Sequence, residues 1–370
     1  VTTISTARIT TGIATSIQVG AGVTINSDGV VAAGIAVTCG SINGAPIGRK
    51  NVLINGAFNV WQRGTSVTML NSAKAMLCDR WNGSIQYQAG RHSRQSLSGA
   101  IAGQAGTYCL RVGSSNGTST RLQAGQYIES INAVPLAGRE CTLSFYIKFS
   151  AATFSASSGS YGNFLSFSNY YTGVNAASYS TSPASSATHV QISAGSFPTT
   201  WTKYTKTFTP PSTSKNITVQ FQFSGLGQTS SDDAFYYELS NVQLELGSQA
   251  TPFEHTSYGE ELLLCQRYFQ NLKACTAVGS GSNISIIVPL FTQMRTTPSL
   301  GKTSGDFNFG DMVSQGYQSS SSPTIDGGYL NQDLQVTGYI GGFSGPTNYR
   351  PYRHEPTASD GALITANAEI

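Results

Sequence analysis

The chain has 370 residues, a formal net charge of +3 and only 11% charged residues, against about 25% in an average soluble domain, while glycine reaches 40 residues. So small a charge over such a length gives no field to hold a phosphate backbone, which argues against nucleic acid as a partner. No apolar run approaches the roughly 20 residues needed to cross a bilayer, and the opening VTTISTARITTGIA lacks the layout of a signal peptide, so membrane insertion is not expected.

The chain starts at Val1 without a Met, as expected of a fragment, a processed product or numbering from the first residue retained. Residues 1–50 are rich in Thr, Val, Ile, Ala and Gly. Short β-prone runs (Ser16–Val19, Val23–Asn26, Val30–Val31, Ile35–Thr38) alternate with glycine-bearing turns, Asp28-Gly29 being the strongest turn signal. Strands this thin cannot hide an apolar face alone. They read as a homotrimeric intertwined stem or as a β-prone tether, and the density of Val and Ile favours the stem.

Residues 51–255 read as a succession of strands: Tyr108–Val112, Arg121–Ile131, Cys141–Phe149, Phe164–Phe167, Val190–Ser193, Lys203–Thr209, Ile217–Phe223 and Phe235–Leu246. Eight strands divided by Gly, Pro, Ser and Asn clusters predict two sheets packed face to face with hairpin and Greek-key connections. The last strand alternates as if half-buried, with an irregularity near Asn241. Residues 256–272 read as a linking helix. Ser257 and Glu260 form a capping box, and Leu262, Cys265, Phe269 and Leu272 recur at helical spacing. Residues 273–370 return to β patterning, with strands at Ser285–Phe291 and Leu334–Ile340, and end in GYIGGFSGPTNYRPYRHEP.

Six cysteines (Cys39, Cys78, Cys109, Cys141, Cys265, Cys275) form no CxxC pair and no cluster of zinc spacing. Cys109 and Cys141 lie within apparent strands and read as small buried hydrophobes, which fits assembly in a reducing cytoplasm.

Four segments of the middle region, GRECTLSFYIKF, WTKYTKTFTPP, NITVQFQF and ELSNVQLELG, taken in order, resemble jelly-roll modules of the carbohydrate-binding type. The flanks, NVLINGAFNVWQRGTS with DRW some twenty residues on, and LGSQATPFE leading into YGEELLLCQRYFQ, resemble bacteriophage tail-fibre and related virion proteins. The match covers roughly residues 50–270. It implies a structural or adhesive virion component, and it transfers no sugar site.

Catalysis is not expected. Asp232/Asp233 sit in a serine-rich turn, and Glu260/Glu261 sit in a helical first turn where negative charge suits the dipole. His92, His189, His255 and His354 are scattered, and no GxSxG elbow, phosphate loop or dinucleotide fingerprint occurs. No cofactor or metal is implied. Sugar recognition remains, since aromatic faces cover pyranose CH faces while Arg, Asn and Gln satisfy hydroxyls. Two clusters qualify: the distal Tyr339, Tyr349, Arg350, Tyr352 and Arg353, and Tyr170 with Tyr171 in YGNFLSFSNYY.

The sequence thus predicts an all-β homotrimer: an N-terminal stem that attaches to another virion structural protein through residues 1–50, a jelly-roll sandwich, a linking helix and a β-rich tip. The expected function is a non-enzymatic phage fibre on the particle exterior that meets a host cell-surface glycan. A capsid head fibre or a polysaccharide-degrading tailspike are the alternatives.

Overall fold

The computed structural model describes residues 49–369 except 70–73, 77, 87–89, 100, 102–105, 115–118, 153–163, 175–184, 192–196, 227–234, 273–275, 304, 315, 321–322, 332–333 and 355–362, and before residue 49 the backbone of five short strands. Of those five, Ser16–Val19, Val23–Asn26 and Gly29–Ala32 form an antiparallel sheet in chain order, and Ser41–Ile42 pairs with Ala45–Pro46. The strand expected at Ile35–Thr38 lies outside the described residues. Val1–Ile47 is one compact unit and Gly48–Ile370 a second.

Two six-stranded antiparallel sheets make up the sandwich of the second unit. The first runs in the order Thr202–Phe208, Cys141–Phe149, Phe235–Leu246, Tyr108–Ser114, Gly90–Ser96, Ser66–Met69. The second runs Ser185–Gln191, Phe164–Tyr171, Asn216–Leu226, Ser119–Ile128, Asn82–Gln86, Lys74–Met76. From Thr202 onward successive strands change sheets. The alternation that marks these strands also builds the core, because period 2 puts Leu143, Phe145, Ile147 and Phe149 on one side. Phe145 meets Phe221 edge-on at 4.9 Å between ring centres, and Phe149 meets Phe223 at 5.3 Å. The strand expected over Arg121–Ile131 stops at Ile128, where Glu129 precedes the short helix Ser130–Ala133.

The closing strand Phe235–Leu246 has the bounds expected from its pattern, but it is buried on both faces rather than one. Its polar side chains are instead paired. Glu238 holds Arg111 at 2.6 Å and Lys148 at 2.9 Å, and Glu245 accepts from Gln243 and Thr251. Asn51 lies along the same strand, donating to the Val242 carbonyl at 3.0 Å and accepting from Leu244 N–H at 3.1 Å. The irregularity expected near Asn241 is present. Asn241 adopts φ 49°, and the facing strand shifts register between Ser144 and Tyr146.

The motif residues that carried the resemblance are structural. Asn55 donates to the Val60 and Asp79 carbonyls, Phe58 packs tilted against Trp81 at 4.9 Å between ring centres, and the Trp81 indole donates to Asn55 O. Ile54 and Val60 from the same stretch pack with Cys265 of the linking helix and with Tyr268. The capping box at Ser257 and Glu260 starts that helix over Tyr258–Gln266, and Glu261 on it accepts from Asn55 N–H. The helix does not continue to Leu272. Phe269–Leu272 is a strand paired with Ile364–Asn367, which in turn pairs with Ser299–Lys302. The helical recurrence of Phe269 and Leu272 is overridden by a backbone ladder whose partner lies almost a hundred residues away.

Beyond this three-stranded sheet stands a seven-stranded one, ordered Tyr317–Ser320, Phe307–Asp311, Pro351–His354, Thr276–Ser280, Asn283–Pro289, Gln335–Ile340, Ile325–Asn331. The two share a core of Leu272, Ile284, Ile286, Val288, Phe307, Phe309, Val336, Ile340, Tyr352 and Ile364. Glu369 fastens this part to the sandwich. It accepts from Arg63 at 3.1 Å and from the fully buried Arg80, while the Arg80 guanidinium also donates to Tyr127 O and lies 3.5 Å over the Tyr268 ring.

Cys78, Cys109, Cys141 and Cys265 are all buried free thiols. His92 is buried too, and burial pushes its imidazole down to about 4. Between about pH 6.5 and 4 the unfolded chain therefore binds a proton that the folded one refuses, and His92 removes stability as pH falls through that window. Asp79 has the opposite sign. Burial pushes it up to about 6 against the pull of Arg63, so its contribution is lost as pH rises from about 4 to 6. An NMR titration of the His92 ring is expected to show a midpoint near 4; a midpoint near 6.5 would contradict dry packing around the ring.

Candidate functional site

Strands of the seven-stranded sheet expose alternate residues on the side away from the core, and the register sets which of them become neighbours. One row runs Tyr317, Gly310, Arg353, Thr276, Ile287, Thr337, each opposite the next across a strand pair. A second runs Pro351, Val278, Ser285, Tyr339, Asp326. Tyr339 and Val278 face Ser285 from either side, and both are diagonal to Ile287. An apolar triangle results, with hydroxyls of Ser285, Thr276 and Thr337 among its members. Tyr339 is 48% and Ile287 47% exposed. At about 4.8 Å per strand, the row from Tyr317 to Thr337 spans roughly 24 Å. An antiparallel sheet with one wet face is ordinary, but that face usually carries polar residues rather than Val, Ile and Tyr.

Of the distal residues singled out in the sequence, Tyr339 and Arg353 stand on this open face. Tyr349 sits beside it at 91% exposure and φ 61°, on a loop whose backbone bonds to Gly279 on both sides, Tyr349 N–H to Gly279 O and Gly279 N–H to Arg350 O. A Cβ on Gly279 would lie 2.1 Å from the Thr347 carbonyl, so this loop packs as closely as it does only against glycine.

The other predicted contacts are withdrawn by burial or, for Arg350, by an internal ion pair. Tyr352 is 1% exposed and points into the core, where its hydroxyl accepts from Thr347 N–H at 2.9 Å. Alternation explains this, because in Pro351–His354 the even members face inward beside Phe309. Arg350 is committed to Asp311 at 2.9 Å, and Asp311 also receives Val313 N–H and Ser314. Burial opposes the charge on Asp311, but the bonds from Ser314 and Arg350 outweigh it and hold the carboxyl well below its usual range. Arg350 therefore anchors the loop. Tyr170 and Tyr171 are buried at the end of a sandwich strand and present no surface for a sugar.

The sequence reading missed Thr276, Val278 and Ile287. The run SIIVPLF does show the alternation that places Ile287 opposite to Ile286 and Val288, and the missing signal was the hairpin partner Thr276–Ser280. Glu260 closes the capping box, Glu261 binds Asn55 N–H, and Asp232/Asp233 lie outside the described residues. Among the described residues there is no group of three or more potential metal ligands, and no helix is long and apolar enough to cross a membrane.

No family model and no curated protein matches this chain. Among solved structures, it is similar to the enzymatically active domain of bacteriophage CBA120 tailspike protein 4, at 12% identity and TM-score 0.31 over 53% of this chain and 21% of that one. It is also similar to TmCBM61 in complex with beta-1,4-galactotriose, at 9% identity and TM-score 0.28 over 54% of this chain and 99% of that one. A third similarity is to the CBM22-1 xylan-binding domain from Paenibacillus barcinonensis Xyn10C, at 12% identity and TM-score 0.26 over 50% of this chain and 95% of that one. The chain thus matches about a fifth of the tailspike domain's length. TM-scores this low fall short of a shared fold and carry no argument about function.

Proposed function

We propose that this chain is a non-enzymatic fibre component of a bacteriophage particle, and that the open face of its seven-stranded sheet meets a glycan on the host surface. The observation that carries the reading is the flat display of Tyr339, Ile287 and Val278 beside Arg353 and the hydroxyls of Ser285 and Thr276. Apolar groups of that kind cover a sugar's CH face, and the polar neighbours take its hydroxyls. In this reading residues 1–50 form a homotrimeric stem that docks on another virion protein, and three faces add their weak contacts by avidity. The particle would be assembled in the host cytoplasm, with the fibre on its exterior.

Affinity electrophoresis of the full chain through gels cast with a panel of bacterial surface polysaccharides tests the site. At least one polysaccharide is expected to retard the wild type, with about a two- to tenfold weaker effect for Tyr339→Ala, in line with the roughly 0.5–1.5 kcal/mol of an aromatic contact. Arg353→Ala is expected to weaken retardation less. Retardation unchanged in both variants, or none with any polysaccharide, would remove the sheet face as the binding surface.

A further inference from the structure

A cleft of about 690 Å³ opens beside the helix Tyr258–Gln266, where the sandwich gives way to the C-terminal sheets. Its size falls within the usual range of small-molecule sites, and junctions between layers are where such sites concentrate. Its walls carry two arginines, Arg49 and Arg267, and two carboxylates, Glu254 and Glu260, above Leu263 and Leu264.

Most of these charges are already held. Glu254 accepts Lys50 N–H and Asn51 N–H, the latter at 2.7 Å. Glu260 accepts from the Ser257 N–H and hydroxyl. Arg267 turns Nε and Nη2 toward Glu129 and also bonds Tyr268, while Arg49 gives Nη2 to the Leu53 carbonyl and stands 4.0 Å from Glu261. Two further wall residues, His255 and Gln293, make no side-chain hydrogen bond or ion pair among the described residues. Leu263 is exposed, as is Phe291, the neighbour in sequence of the wall residue Thr292.

Two positive and two negative side chains leave the lining without a net charge to favour an ion of either sign. What it offers is a mixture of donors and acceptors over an apolar floor. Hydroxyl groups are both donor and acceptor, and they suit such a lining better than a carboxylate, an amine or a phosphate. We infer that this cleft binds a neutral saccharide of at least two rings, with a CH face on Leu263 and hydroxyls on His255 and Gln293. The site shares no residue with the open sheet face, and its case stands whether or not that face binds a glycan.

Saturation-transfer NMR on the full chain, with maltose, cellobiose and lactose as probes and sodium glucuronate as the charged control, tests it. At least one disaccharide is expected to give a signal stronger than glucuronate. That signal should drop at least fivefold in the double variant His255→Ala/Gln293→Ala and persist in Tyr339→Ala. Because neither replaced side chain has an internal partner among the described residues, the double variant is expected to keep the wild-type melting temperature. No disaccharide signal, a preference for glucuronate, a signal indifferent to the double variant, or one lost in Tyr339→Ala would each overturn the assignment.

Discussion

Replacing Glu369 with alanine is expected to cost about 3–5 kcal/mol of stability, the penalty for removing one partner from a buried ion pair. Arg80 is 1% exposed, so without the carboxylate its charge is left with the Tyr127 carbonyl and the Tyr268 ring, neither of which neutralises it. Arg63 retains Asp79 at 3.1 Å and is expected to suffer less. Urea unfolding followed by tryptophan fluorescence reads the effect. Glu369→Gln, which keeps an oxygen acceptor but no charge, is expected to fall between wild type and Glu369→Ala. A loss below about 1 kcal/mol for the alanine variant would mean that the Arg80 pocket admits water, and that Glu369 is not what fastens the C-terminal sheets to the sandwich.

Gly56→Ala is the second change expected to have a large effect, about 3 kcal/mol, because it overpacks a place where two backbones touch. An added Cβ would lie 2.1 Å from the Val242 carbonyl and 3.0 Å from Asn51 Nδ2. The same residues form a 2.9 Å bond from Val242 N–H to Gly56 O, next to the left-handed Asn241. Neither main chain can retreat without breaking that bond or the Asn51 contact. A denaturation midpoint within error of wild type would show that the closing strand is looser here than its contacts imply.

Much of the sandwich was legible because alternation is a local signal. Cys141–Phe149 and Phe235–Leu246 have the bounds read from their pattern, and the Asn241 irregularity and the Ser257 cap were visible for the same reason. Strands over 66–96 were not. GRHSRQS carries no apolar alternation, and its place in the first sheet follows from the strands on either side, Tyr108–Ser114 and Ser66–Met69. The helix was overextended because Phe269 and Leu272 fit a helical period, and the partner that recruits them, Ile364–Asn367, is remote.

The site divided along the same line. Composition marked the tyrosine-rich end of the chain, but whether a given tyrosine faces water depends on the register of strands far apart in sequence. Tyr339 therefore faces outward and Tyr352 inward, although both stand in one stretch of glycine and aromatic residues.

The bond between Arg80 and Glu369 joins positions 289 residues apart. The last sandwich strand ends at Leu246, so at roughly 5–20 residues per second on a ribosome the sandwich is complete some 6–25 s before the carboxylate that neutralises Arg80. Until then the nascent chain holds a cationic notch at Arg80, lined by the Tyr268 ring once that residue has followed. A polypeptide interrupted before Glu369 would keep that notch, and cellular quality control would then meet a finished sandwich with a vacant latch.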